Sequence, residues 1–184
     1  MIGIECTLDD FNKALEALNE KLSERNITIE IRAIGGFAML YNKLRSGGYT
    51  MDVDTATKDM TKEVQELIRE VAEENGLDED WINNDSYILP EVTGIISKLE
   101  WITDNSYSNI MLYIANIQSL LLLKVRAVHF AGSVPRITDQ TDVLDILSFL
   151  GIRTIEEVKQ NPLTKGFEKK YPRCFDFLKK TEKW

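Results

Sequence analysis

The feature that most constrains the fold of this chain is an alternating segment that stops at two adjacent glycines. From Ile27 to Ala33, apolar side chains occupy every second position, which predicts a β-strand with one buried face. Gly35-Gly36 follows at once and predicts a tight turn. Residues 37–44 then have the pattern of a short helix, which the Ser46-Gly47-Gly48 sequence breaks before a second predicted strand at residues 49–54.

The second strand carries Asp52 and Asp54. Side chains at positions i and i+2 of a strand point to the same face, so the two carboxylates can bind one divalent cation, and Mg²⁺ prefers such hard oxygen ligands. Gly35 and Gly36 would let backbone amides approach phosphate groups, with the positive end of the following helix adding to the attraction. Together these residues predict a nucleotidyl-transfer site. Taken separately, they are also typical of a simple tight turn and of exposed surface acids.

The rest of the chain has mainly helical periodicity. The predicted fold class is α/β (α+β), with a small mixed sheet flanked by helices, and the chain is divided into an α/β core at residues 1–115 and a helical C-terminal region at residues 116–184. The remaining predicted elements are helices at residues 8–25, 58–75, 90–99, 119–130 and 139–150, a helical turn under Trp81 at residues 78–83, and a third strand at residues 109–114.

Composition excludes several classes of function. With 184 residues and 43% hydrophobic side chains the chain can fill a core, while its net charge of -8 disfavours binding nucleic acid over a broad surface. No apolar run approaches the roughly 20 residues needed to cross a bilayer, so we expect a cytoplasmic protein with no membrane partner. Cys6 and Cys174 have no companion ligands that would suggest zinc, and His129 is the single histidine.

Three segments occur in an order that resembles a known family. They are Gly35-Gly36-Phe37-Ala38, Thr50-Met51-Asp52-Val53-Asp54 and Asp78-Glu79-Asp80-Trp81-Ile82-Asn83-Asn84. In this order they resemble the nucleotidyltransferase superfamily, and within it bacterial proteins related to the AbiEii toxins. The resemblance covers residues 25–150 and implies a nucleotidyltransferase-like fold. It makes Gly35, Gly36 and Thr50 the candidates for nucleotide binding, with Asp52 and Asp54 as the ligands of Mg²⁺.

The resemblance also implies an activity and further site residues. The activity is Mg²⁺-dependent transfer of a nucleoside monophosphate from an NTP to a hydroxyl of RNA, a protein or a small molecule, in some relatives as a toxin restrained by an antitoxin partner. Lys124 would reach the triphosphate, and Asp142 or Asp145 would orient it or a substrate group, with Asp139 as a poorer match. Lys124 could equally be a lysine among leucines whose amine reaches the surface. The catalytic candidates are Asp52, Asp54, Lys124, Asp142 and Asp145.

Two departures from the family pattern support an alternative. Gly48 stands where relatives often have an arginine, for which Arg45 is the nearby substitute. The predicted third strand contains no acid to serve as a third carboxylate, and Glu100 and Asp104 lie upstream of it. The alternative is a catalytically silent protein of the same fold that binds a nucleotide or a partner protein.

Overall fold

A computed structural model of the chain describes residues 4–45, 47–58, 60–132 and 134–181. Ser46 was assigned to the break after the predicted helix at residues 37–44, and it lies outside the described residues. The same is true of residues 1–3 and 182–184, at the outer ends of the two predicted regions.

The chain begins with the predicted first helix. Helix α1 spans Leu8–Glu24 and is closed at its start by a capping box, in which the side chains of Thr7 and Asp10 each accept from the other residue's backbone N–H. Its apolar stripe, which includes Phe11 and Leu18, is fully buried. The N-terminal signal and the periodicity therefore predicted this element correctly.

A three-stranded mixed sheet forms the centre of the molecule. Strand β1 (Ile29–Ala33) pairs in parallel with β5 (Ile110–Ala115), and β4 (Trp101–Asp104) pairs antiparallel with the other edge of β5. Ile31 lies opposite Leu112, and both are buried. Helix α2 (Gly35–Tyr41) follows β1 directly. A small mixed sheet flanked by helices is thus confirmed.

A second, very short sheet holds the segment that contains the candidate aspartates. Strands β2 (Val53–Asp54) and β3 (Ile82–Asn83) pair in parallel, and helix α3 (Lys62–Asn75) connects them. Trp81, next to β3, is fully buried, and its indole Nε1 donates to the carbonyl of Ile68 at 3.0 Å. Buried Trp81 thus holds β3, the strand that pairs with β2, against helix α3.

The N-terminal segment also joins this region. The backbone groups of Cys6 and Thr50 exchange two hydrogen bonds, of 2.7 and 2.9 Å, in an isolated antiparallel bridge. Cys6 is buried beneath it.

The C-terminal part is helical, as predicted. Its hydrophobic residues, including Leu120, Ile146 and Phe175, belong to the same buried cluster as Phe11 and Ile31. The core therefore runs across the boundary near residue 115. The helices are α4 (Ile117–Phe130), α5 (Ile137–Phe149), α6 (Ile155–Gln160), α7 (Phe167–Lys170) and α8 (Pro172–Lys180).

Several predicted elements were wrong in kind or in extent. The glycine pair is the first turn of α2 and not a turn before it, and the strand expected at residues 49–54 is ordered as strand only at Val53–Asp54. Residues 90–99 form turns and a 3₁₀ helix at Ile96–Lys98 instead of an α-helix. The helical turn expected at residues 78–83 is a turn followed by strand β3 at Ile82–Asn83, and strand β4 was not predicted.

Candidate active site

Asp52 and Asp54 flank a residue that points into the core. Val53 is fully buried, and its backbone N–H donates to the carbonyl of Trp81 at 2.7 Å. Because side chains alternate along an extended backbone, both carboxylates lie on the opposite side from Val53, and both aspartates are half-buried. The carbonyl of Asp54 accepts from the N–H of Ile34 at 2.9 Å. This bond places the carboxylates at the start of α2.

Neutral side chains donate to both carboxylates. Nδ2 of Asn83 lies 3.2 Å from Oδ2 of Asp52, and Oγ of Ser86 lies 2.7 Å from Oδ1 of Asp54. Burial, and then the charge of Asp54, raise the pKa of Asp52 to about 6, against the smaller opposing effect of the Asn83 bond. Two carboxylates that repel each other in a partly buried place would be stabilised by a divalent cation between them. The donor set therefore fits Mg²⁺.

Gly35 and Gly36 bring the backbone against these groups. Gly35 has a φ of 62°, in the left-handed region, and a Cβ there would overlap the carboxylate of Asp54. A Cβ on Gly36 would overlap the hydroxyl of Thr50 and lie 2.6 Å from Nη1 of Arg45. Glycine is therefore required at both positions. Amides in the first turn of a helix have no partner within the helix, so they are available to an anion.

A series of ion pairs built on the buried side chains of Lys124, Asp139 and Asp142 begins beside the first turn of α2. Asp142 accepts three hydrogen bonds from Arg45: Nε and Nη2 lie 3.2 and 3.1 Å from Oδ1, and Nη2 lies 2.8 Å from Oδ2. Nζ of Lys124 lies 2.7 Å from Oδ2 of Asp142 and 2.9 Å from Oδ1 of Asp139. Oδ2 of Asp139 in turn accepts from Nε of Arg136 at 2.7 Å. We call this series, Arg45–Asp142–Lys124–Asp139–Arg136, the charge chain.

The charge chain brings Lys124 to two of the three candidate aspartates on α5. Asp139 and Asp142 contact it, whereas Asp145 lies half-buried about one turn beyond Asp142. Burial alone would raise the pKa of Asp139, but the charge of Lys124 and the hydrogen bond from Arg136 outweigh it, so that pKa is lowered. Asp139 is therefore held in its charged form.

Two arginines extend the site beyond the residues predicted for it. Nη1 of Arg45 donates to the carbonyl of Tyr49 at 3.3 Å, next to Thr50. The hydrogen bond to Asp139, and further the charges of Asp139 and Asp54, raise the pKa of Arg136. The charge of Arg136 thus acts on Asp54 as well as on its hydrogen-bonded partner Asp139. No motif pointed to Arg136, and only its position shortly before the predicted α5 acids was visible in the sequence.

The two upstream acids serve other partners. Oδ2 of Asp104 accepts from the hydroxyl of Tyr41 at 3.1 Å, and Oε2 of Glu100 accepts from Nδ2 of Asn116 at 2.9 Å. Within the part of the chain that the structure describes, no group of three or more His, Cys, Asp or Glu residues is arranged to hold a metal. A Mg²⁺ on Asp52 and Asp54 would complete its shell with water and substrate phosphate.

A polar cleft opens next to the aspartate pair. Asn83, the donor to Asp52, lines it together with Asp80, Asp85 and Arg69, and its volume is about 390 Å³. The cleft therefore reaches the aspartate pair through Asn83, the residue that they share with its lining.

Comparison with family models, curated proteins and solved structures found no match to this chain. Among the described residues, no helix is long and apolar enough to cross a membrane.

Proposed function

We propose that this protein is a Mg²⁺-dependent nucleotidyltransferase that moves a nucleoside monophosphate from an NTP to a hydroxyl group. The observation that carries the proposal is the approach of the glycine pair to the segment that holds Asp52 and Asp54. Gly35 lies so close to the Asp54 carboxylate, and Gly36 so close to the Thr50 hydroxyl, that no Cβ fits between them. Carboxylates for a cation and free backbone amides for phosphate are the two parts that this reaction needs.

The chemistry assigns separate tasks to these residues. The acceptor oxygen forms an ester bond to the α-phosphorus, the bond from that phosphorus to the bridging oxygen breaks, and pyrophosphate leaves as the hydroxyl proton passes to water. Bound Mg²⁺ would neutralise phosphate charge during this transfer. Asp52 and Asp54 hold the cation, Asn83 and Ser86 hold the two carboxylates in position, and the first turn of α2 binds phosphate oxygens.

Incorporation of labelled NTPs tests the proposal. The protein is incubated with Mg²⁺ and either total tRNA or cell lysate, and we expect an acceptor to be labelled. Asp52→Asn and Asp54→Asn should lower the rate by about a hundredfold or more, because several kcal/mol of charge stabilisation is lost. Asp176→Asn, at an exposed acid on α8, is the matched control and should label normally. Labelling that is absent, or equal in all four proteins, would refute the enzyme assignment.

A toxin restrained by an antitoxin is the biological form of this activity that the family resemblance suggests. We propose it on that resemblance alone, with RNA, a protein or a small molecule as the acceptor. Induced expression should then arrest growth in the wild type and not in Asp52→Asn at equal protein level. Equal growth of the two strains would exclude the toxin role while leaving the transfer activity to the labelling assay.

One observation favours the alternative of a silent binding module. Strand β5 carries no acid, and Asp104 on the adjacent strand is bonded to Tyr41, so a third carboxylate is not supplied from there. Titration calorimetry with ATP separates the two functions. Binding that depends on Mg²⁺ and on Asp52 supports the transferase, whereas binding that is indifferent to both supports the silent module.

A further inference from the structure

The charge chain contains more cations than acids. Within the series, Arg45, Lys124 and Arg136 share the two carboxylates of Asp139 and Asp142, one fewer than the cations. Surplus charge next to a buried structure is costly unless it lies near solvent or meets an anion. Arg136, at the exposed end, meets both solvent and the charge of Asp54, and an anion bound along the series would be a further partner.

Lys124 is the member least able to reach a ligand. It is only 7% exposed, and two of its three N–H donors are directed at Asp139 and Asp142. A direct contact with a triphosphate would rely on the remaining donor. Its position in the middle of the series holds both acids in place.

The two arginines are the ends of the series, and the Arg45 end lies at the candidate active site. The side chain of Arg45 is 18% exposed, and its Nη1 lies with the Thr50 hydroxyl in the space above Gly36. The side chain of Arg136 is 71% exposed, with its Nε held by Asp139 and its charge interacting with that of Asp54. Arg45 donates three hydrogen bonds to Asp142 and one to the carbonyl of Tyr49, which leaves one N–H donor. Arg136 is held at Nε by Asp139, and its two Nη groups supply four further donors.

We propose that Arg45 and Arg136 bind the polyphosphate of the donor nucleotide, Arg45 next to the Gly36 turn and Arg136 at the other end of the charge chain. The assignment deepens the proposed nucleotidyl transfer and rests on it for the identity of the ligand. Arginine suits this task because the Nη fork of Arg136 can bind two phosphate oxygens at once, while Arg45 adds the contact of its remaining N–H. The buried carboxylates that hold both side chains reduce the entropy lost on binding.

Inorganic tripolyphosphate is the probe that tests the two arginines without nucleoside or metal. Binding to the full chain is measured by titration calorimetry in Mg²⁺-free buffer. We expect Arg136→Gln and Arg45→Lys each to weaken binding about tenfold or more, the loss expected for one charge-assisted contact. Arg45→Lys keeps a cation beside Asp142 and so protects the fold while removing the fork. The matched control, Arg153→Gln at an exposed arginine outside the series, should bind within twofold of the wild type.

Tripolyphosphate binding and nucleotide labelling can fail separately. If the wild type does not bind tripolyphosphate, or both arginine variants bind it as tightly as the wild type does, the arginine assignment is overturned even where Asp52-dependent labelling is observed. If arginine-dependent binding is found without labelling, the polyphosphate site is supported and the proposed transferase activity is refuted. Asp54→Asn should bind tripolyphosphate at least as tightly as the wild type, because it removes a negative charge near Arg136; a tenfold loss in Asp54→Asn would contradict the assignment.

Discussion

Replacing Asp142 by Asn tests whether the charge chain is a unit of the fold. Asp142 is 2% exposed and contacts two cations, Lys124 at 2.7 Å and Arg45 at 2.8 Å. Asparagine keeps the shape of the side chain but removes its charge and turns one acceptor into a donor that faces the cations. The surplus of one positive charge in the series becomes a surplus of two.

The expected loss of stability follows from burial. Removing one partner of a buried ion pair costs about 3–5 kcal/mol, because the remaining charge is left uncompensated. For a chain of this size, 1 kcal/mol corresponds to roughly 2–4 °C in Tm. A loss of about 3 kcal/mol should therefore lower the Tm of Asp142→Asn by roughly 10 °C.

Urea denaturation followed by circular dichroism measures the change in unfolding free energy. The matched control is Asp176→Asn, which breaks an exposed pair in which Lys179 lies 3.5 Å away and the two side chains are 47% and 61% exposed. Pairs of that kind contribute under about 1 kcal/mol. If the two variants lost the same stability to within about 0.5 kcal/mol, the charge chain would not be the buried electrostatic unit described above.

Three further outcomes are expected. The pKa of Asp52 is about 6 in the folded protein against an ordinary 3.8. Between these values the unfolded chain binds fewer protons than the folded one, so the unfolding free energy should fall as pH rises through this window. Urea titrations at several pH values should show a fall of the order of 1 kcal/mol after solvent screening, and Asp52→Asn should remove it. Gly36→Ala should lower the unfolding free energy by about 1–3 kcal/mol by overpacking. Gly132→Ala is the control, because the space around its Cβ position is open, and it should stay within about 0.5 kcal/mol of the wild type. Equal losses in the two variants would mean that the side chains around Gly36 can move to make room. Trp81→Phe should cost about 1–3 kcal/mol in urea denaturation, since it removes the hydrogen bond from Nε1 to the carbonyl of Ile68 and part of a fully buried ring. An unchanged midpoint would show that neither stabilises the fold.

Local signals explain which elements could be predicted from the sequence. Helix α1 has a capping box and a regular apolar stripe, so it was predicted almost to the residue. Helix α3 ends before Gly76, which is in the left-handed conformation, so its end was predicted correctly, whereas it begins at Lys62 and not at residue 58. Residues 90–99 have the same apolar spacing without being an α-helix. Val92, Ile95 and Leu99 are buried at intervals of three and four, which turns and a 3₁₀ helix satisfy as well as an α-helix does. Strand β4 was missed because it is a short edge strand with little alternation in burial.

The candidate site was predictable only where its residues are close in sequence. Asp52 and Asp54 are two positions apart, and their common side follows from the alternation of an extended backbone. The Arg45–Asp142 pair joins residues 97 positions apart, and no pattern in one sequence specifies such a contact. The choice among the three aspartates of α5 likewise depends on how α5 packs against α4, which periodicity does not determine.

Because the backbone of Cys6 is bridged to that of Thr50, the reactivity of the Cys6 thiol can report on the candidate site. Cys6 is buried and is itself the bridge partner of Thr50, and Cys174 is buried on α8. Burial raises the pKa of both thiols, that of Cys174 to about 12, so a thiol reagent reacts only when the surrounding segment opens. The two modification rates therefore report local opening at two separate places in the unaltered chain. A nucleotide that binds at Thr50 should slow the reaction of Cys6 more than that of Cys174.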